Sequence, residues 1–254
     1  MSVLSRNFLL LVLCLVFCNT YAQESKLWTS VNLEYRPNTK WHFSLEEQLR
    51  LKKNSSVTDQ YFTALDLSYS VLKNIELAMG YRYITKKDNT GNIQGSENYS
   101  RVHFDLSYKY KSNNFSFKHR FRFQNKKLLS IDGLYHLNDK VILVPDYKNK
   151  NIRFKTSIAY NIKNWPLDPK LSAEIFYHLE EGDTEALDLE EKTIGFNKYR
   201  ITLATDYKMN GYGKIGGYYR LENEFNVNAP SYSKIIGVKY SYVFKNKKNS
   251  QKSY

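Results

Sequence analysis

The sequence predicts an all-β fold: a closed antiparallel transmembrane β-barrel of ten to twelve strands, with long extracellular loops and short periplasmic turns. Three observations predict it. The chain opens with a secretory signal peptide, its apolar and ionised residues alternate with period two over bilayer-spanning lengths, and its connections alternate between short and long.

The signal comes first in the chain. Arg6 precedes an unbroken apolar run from Phe8 to Phe17, and Thr20-Tyr21-Ala22 then offers small residues for cleavage before Gln23. The run is too short to cross a bilayer as a helix, which takes roughly twenty residues. Residues 1–22 are therefore read as a signal peptide and 23–254 as one outer-membrane barrel domain. Cys14 and Cys18 both fall in the removed segment, so the mature chain has neither disulfides nor thiolate metal sites. Leu15-Val16-Phe17-Cys18 also brings a lipoprotein cleavage box to mind, but Phe17 is too bulky for the position before the cysteine.

The formal net charge of +13 would suggest nucleic acid in a soluble basic domain, and export argues against that partner. The 22 Tyr and 14 Phe suit a membrane interface instead. A mean hydropathy of −0.58, with no second long apolar segment, excludes a helical bundle. It leaves room for a barrel whose apolar residues occupy every second position.

Eleven segments carry that pattern. The first, 27–35, is short. In Lys40–Lys52, Trp41, Phe43, Leu45, Leu49 and Leu51 alternate with His42, Ser44, Glu46, Gln48 and Arg50, and only Glu47 breaks the order. Segments at 57–72 and 75–86 follow. Next comes a hairpin in which Val102, Phe104, Leu106, Tyr108 and Tyr110 oppose Arg101, His103, Asp105, Ser107 and Lys109. After Lys111–Asn114 it returns as Phe115, Phe117, Phe121 and Phe123 against Lys118, Arg120, Arg122 and Gln124. The remaining segments are 151–162, 171–180, 198–208, 212–222 and 232–244. Short links follow the third, fifth and ninth segments, and long polar ones follow the fourth, sixth, eighth and tenth. An odd count would start the first strand outside the cell, so an even count of ten or twelve is expected. The segment Gly237–Phe244, a glycine followed by spaced aromatic residues, has the form of a C-terminal barrel-assembly signal, and 245–254 reads as a basic periplasmic tail.

Leu27-Trp28-Thr29-Ser30, Glu34-Tyr35, Glu47-Gln48-Leu49-Arg50, Gly80-Tyr81-Arg82-Tyr83 and Gly217-Tyr218-Tyr219-Arg220 together carry a resemblance. The mature chain resembles a family of bacterial outer-membrane barrels designated a domain of unknown function (DUF2490-like). The resemblance implies a barrel and an outer-membrane address; it implies no activity and no site residues.

The polar face holds the candidate chemistry. Its basic residues are Arg50, Arg82, Arg101, Lys118, Arg120, Arg122, Arg153, Lys155, Lys198, Arg200 and Arg220, and its acidic partners are Glu46, Asp66, Glu76, Asp105, Glu174 and Asp206. Such a face suits a small pore with preference for anionic solutes. It equally suits a structural or interaction barrel with a plugged, salt-bridged interior. A third class, an enzyme modifying envelope lipids, would draw on His42 with Ser44 or His103 with Asp105. No catalytic site is expected, because none of the five histidines sits in a lipase-like motif; His119 falls on the lipid face and His136 in a loop. No cofactor or metal is expected either, since the acidic run Glu180–Glu191 lacks the spacing of a calcium loop. The apolar loop Asn125–Asn151 either folds into the mouth, extends strands above the membrane, or meets a partner. Expected partners are outer-membrane lipid, lipopolysaccharide and the barrel-assembly machinery, with no nucleic acid.

Overall fold

The computed structural model describes residues 24–87, 95–132, 148–163, 165–181, 194–209, 213–227 and 230–245. Eleven strands close into one barrel: β1 (Glu24–Arg36), β2 (Trp41–Lys52), β3 (Val57–Ser70), β4 (Ile75–Lys87), β5 (Ser96–Ser112), β6 (Phe115–Asp132), β7 (Lys148–Tyr160), β8 (Lys170–Glu181), β9 (Gly195–Lys208), β10 (Gly213–Glu224) and β11 (Tyr232–Lys245). Each expected segment is a strand. Residues 1–22, read as a signal peptide, His136 and most of the acidic 180–191 run lie outside the described residues.

The expected even count and wholly antiparallel order are corrected. Sequence neighbours pair antiparallel, but β1 and β11 pair parallel, from Glu24↔Ser233 to Arg36↔Lys245. An odd number of up-and-down strands can close in no other way, because its first and last members run in the same direction. The segment 27–35 is thus a wall strand, and no twelfth strand is needed.

Two unlike rims follow. β1, β3, β5, β7 and β9 end on one, here the near rim, with the links 37–40, 71–74 and 113–114. β2, β4, β6, β8 and β10 end on the far rim, where β1 starts, and the longest stretches between strands in the sequence follow those ends. Asn113 makes the tight β5–β6 turn with φ of 51°, in the left-handed region that asparagine tolerates.

The hydrophobic order is inverted relative to a soluble protein. Leu65, Phe104 and Ile236 are 56%, 53% and 57% exposed in mid-strand, whereas Ser107, His103 and Ser241 point inward and are buried. Aromatic rings gather on the outer face of the near rim. Trp41 lies 4.7 Å from Tyr69, Tyr110 4.7 Å from Phe117, and Phe115 4.8 Å from Tyr160.

The 125–151 segment is partly strand. β6 continues to Asp132 and turns Leu128 inward, where it is buried with Phe62, Ala64, Ile84 and Tyr99, with Ile131 packed alongside. This small apolar cluster fills one side of the interior toward the far rim. Residues 133–147 lie outside the described residues.

Candidate functional site: the charged interior

The interior face is crowded, and glycines make the room. A Cβ on Gly80 would lie 2.3 Å from Asp66 Oδ1 and from His103 Cε1, so this position admits the pair His103 Nε2–Asp66 Oδ1, 2.8 Å apart. At Gly237 a Cβ would meet the Tyr218 ring at 1.9 Å, so the phenol of Tyr218 lies flat across the strand there.

One half of the wall is a network of matched charge. Arg122 donates two bonds to Asp105, at 2.6 and 2.7 Å, and Arg120 stands 3.8 Å from the same carboxylate. Glu174 on β8 is the hub: Arg120 reaches it at 2.7 Å, Arg153 at 2.8 Å and Arg200 at 3.8 Å. Arg200 is also paired with Glu222, and Lys198 with Glu224. Buried charges of this kind are tolerable because each has a partner and further hydrogen bonds. Gln124 contributes one, accepting from Arg153 at 2.9 Å.

The other half is different. Arg82 lies directly across from Arg101 in the ladder, and Arg101 from Lys126, so three cations stand side by side on β4, β5 and β6. Among the described residues, Arg82 has one carboxylate within ion-pair reach, the distant Glu46 at 3.9 Å, and Arg101 has none. Arg50 donates to Gln48 at 2.6 Å, and Arg220 to Thr202 at 3.0 Å; neither has a carboxylate partner among the described residues.

Aromatic faces stand in for some of the missing anions. The Arg50 guanidinium carbon sits 3.8 Å from the centre of the Trp28 ring and Arg220 lies 5.2 Å from it, while Arg82 covers Phe62 at 3.6 Å. Such contacts hold a guanidinium in place without neutralising it.

Between the two halves lies a cavity of about 520 Å³. Arg50, Arg82, Arg101, Arg120, Arg122, Arg153, Lys155, Lys198, Arg200 and Arg220 line it, with Glu46, Asp66 and Glu174 among the few carboxylates. The other expected residues sit elsewhere. Lys118 joins Lys109 around Glu76, at 3.4 and 2.7 Å, and Asp206 faces Lys214 at the near rim, 3.2 Å away. Asp105 stands behind Arg122 rather than on the cavity surface. The lining also includes Trp28, Phe62, Phe176, Tyr218, Lys126 and Lys239, and Glu222 closes the network behind it. Sequence reasoning missed all seven.

The histidine pairs are rearranged. His103 faces Asp66 rather than Asp105. His42 lies 3.2 Å from Glu34 and 3.5 Å from Ser68 rather than beside Ser44. The partners come from other strands: Glu34 of β1 and Ser68 of β3 flank His42 on β2, and His103 of β5 reaches Asp66 of β3 across Gly80 of β4. Arg36 holds the same Glu34 oxygen at 2.8 Å, which ties that carboxylate to the rim. His119 lies on the outer face, its Nδ1 3.1 Å from Thr156 Oγ1. Among the described residues, no group of three or more His, Cys, Asp or Glu could hold a metal ion.

A closed eleven-strand barrel, apolar without and rich in arginine within, defines the class of protein. The model of a family described as a protein of unknown function (DUF2490) matches residues 25–233, from β1 to the start of β11, and the chain belongs to that family. No curated protein matches the chain.

Proposed function

We propose that the protein is a bacterial outer-membrane barrel whose interior admits small anions. The apolar outer face and the ring of aromatic side chains at the near rim support the membrane setting, since both suit hydrocarbon bounded by headgroups. The signal peptide read from residues 1–22 supports export. In this setting the outer partners are lipid and lipopolysaccharide, and assembly falls to the barrel-insertion machinery.

One observation carries the anion preference: Arg50, Arg101 and Arg220 face the cavity without a carboxylate partner among the described residues. Fixed positive charge in a narrow, low-dielectric lumen raises the local concentration of anions and excludes cations. The reading is non-catalytic: His42 and His103, on which an enzyme would draw, face Glu34 and Asp66 rather than Ser44 and Asp105.

Planar-bilayer recording in a KCl gradient tests it. Reversal potentials on the anion-selective side are expected, and Arg50→Glu with Arg101→Glu should move them toward cation selectivity. A barrel that inserts but passes no current would favour the second reading, a salt-bridged interior serving structure, for which the Asp105–Glu174–Glu222 network is the supporting observation.

A further inference from the structure

Arginines without carboxylates are only part of the lining. Amides share the same cavity: Gln48, Gln60, Asn151 and Asn197 all contribute to its surface. Gln48 accepts from Arg50 and so keeps its NH₂ donors for the cavity. Asn151 donates to Asn149, leaving its own carbonyl oxygen as an acceptor. A site that combines guanidinium forks with carboxamides presents fixed positive charge next to paired donors and acceptors. Carboxylates and phosphates suit the first, and vicinal hydroxyls suit the second.

Resting on the anion-admitting reading, we propose that the cavity is a binding site for an anionic sugar, a hydroxyl-rich ring bearing a carboxylate or a phosphate. Arg50 and Arg101 take the anionic group, and Gln48 and Gln60 take hydroxyls. Two features beyond composition support a site rather than a smooth passage. The cavity lies within the ~300–1,000 Å³ range of small-molecule sites. Its cations also stand close together: Arg82 lies directly across the ladder from Arg101 and Arg101 from Lys126, while Arg50 and Arg220 share the Trp28 ring. A bound anion relieves their mutual repulsion.

The molecule carries its own reporter. Trp28 is the one tryptophan lining the cavity, stacked beneath Arg50, whereas Trp41 and Trp165 are exposed. In detergent-solubilised full barrel carrying Trp41→Phe and Trp165→Phe, Trp28 emission is followed during titration at constant ionic strength. The titrants are glucuronate, glucose 6-phosphate, glucose and inorganic phosphate, with calorimetry run on the same samples to register binding that leaves the indole unmoved. Saturable binding of glucuronate or glucose 6-phosphate is expected, with the two arms telling carboxylate from phosphate. Glucose and inorganic phosphate should bind at least about tenfold more weakly. Arg101→Gln should weaken either sugar anion by about tenfold or more. If that variant does not fold, Gln60→Leu, which changes no charge, should weaken the sugar anions and leave inorganic phosphate unaffected. Equal binding of inorganic phosphate, or of glucose, overturns the inference. Absence of binding alongside anion-selective conductance overturns it and leaves the pore standing; absence of both removes the pore as well.

Discussion

Glu47 is the outward residue that breaks the alternation of β2. It lies between Val31 of β1 and Thr63 of β3 in the ladder, with Leu45 and Leu49 on either side along its own strand, and it is exposed on the apolar face. A carboxylate at that depth is costly to a membrane barrel, less so than a lysine but unrewarded by any ion pair among the described residues. Glu47→Leu should therefore stabilise the protein in lipid by about 1 kcal/mol or more, read as a higher urea midpoint for unfolding from vesicles. An unchanged midpoint in lipid would place this face outside hydrocarbon. The inward glycines make the complementary point, since at Gly80 and Gly237 the absence of a side chain is what lets an opposing ring or carboxylate cross the strand.

At the scale of strands, the weakest seam should be β1 with β11. Parallel ladders are slightly less stable per residue than antiparallel ones, and this pair has no turn to hold it together. Amide exchange of Val31 and Tyr240 is expected to outpace that of Phe104 and Phe123, paired across the β5–β6 hairpin, in the same sample. Equal protection would show a seam as firm as a hairpin. The strands themselves were legible from residue order because alternation is a local property: Val102 to Tyr110 shows its two faces without help from the rest of the chain. The parity was not legible. Whether the first strand meets the last in parallel depends on the closure of the whole ring, and no residue of β1 records it. The site was legible in its charges and opaque in its aromatics. Arg120, Arg153 and Arg200 stood out at alternate positions, whereas Trp28, Phe62 and Phe176 broke the rule that inner positions are polar. Their reason lies on other strands, where Arg50, Arg82 and Arg153 cover them. Glu222 and Glu224 were missed because they stand at the expected end of their strand, and their partners Arg200 and Lys198 lie across the ladder on β9.

For the molecule as a whole, the excess of positive charge acts at a distance as well as by contact. The screening length falls from about 10 Å at 0.1 M salt to about 3 Å at 1 M. If the proposed preference for anions comes from the summed field of the interior, the chloride-to-potassium permeability ratio should fall between these salt concentrations. If it comes from direct contact with Arg50 and Arg101 at a constriction, the ratio should hold. Bilayer recordings at fixed gradient and rising ionic strength separate the two origins.

Parallel closure also bears on how such a wall is completed. The two strands that seal it are the ones farthest apart along the polypeptide, so no shorter product of synthesis can shut the ring. Until Tyr232 to Lys245 arrives, the first strand offers a bare ladder edge, a template for any passing β-segment. Guarding that edge is a task the finished cylinder no longer sets, and on the proposed membrane reading it falls to the barrel-insertion machinery.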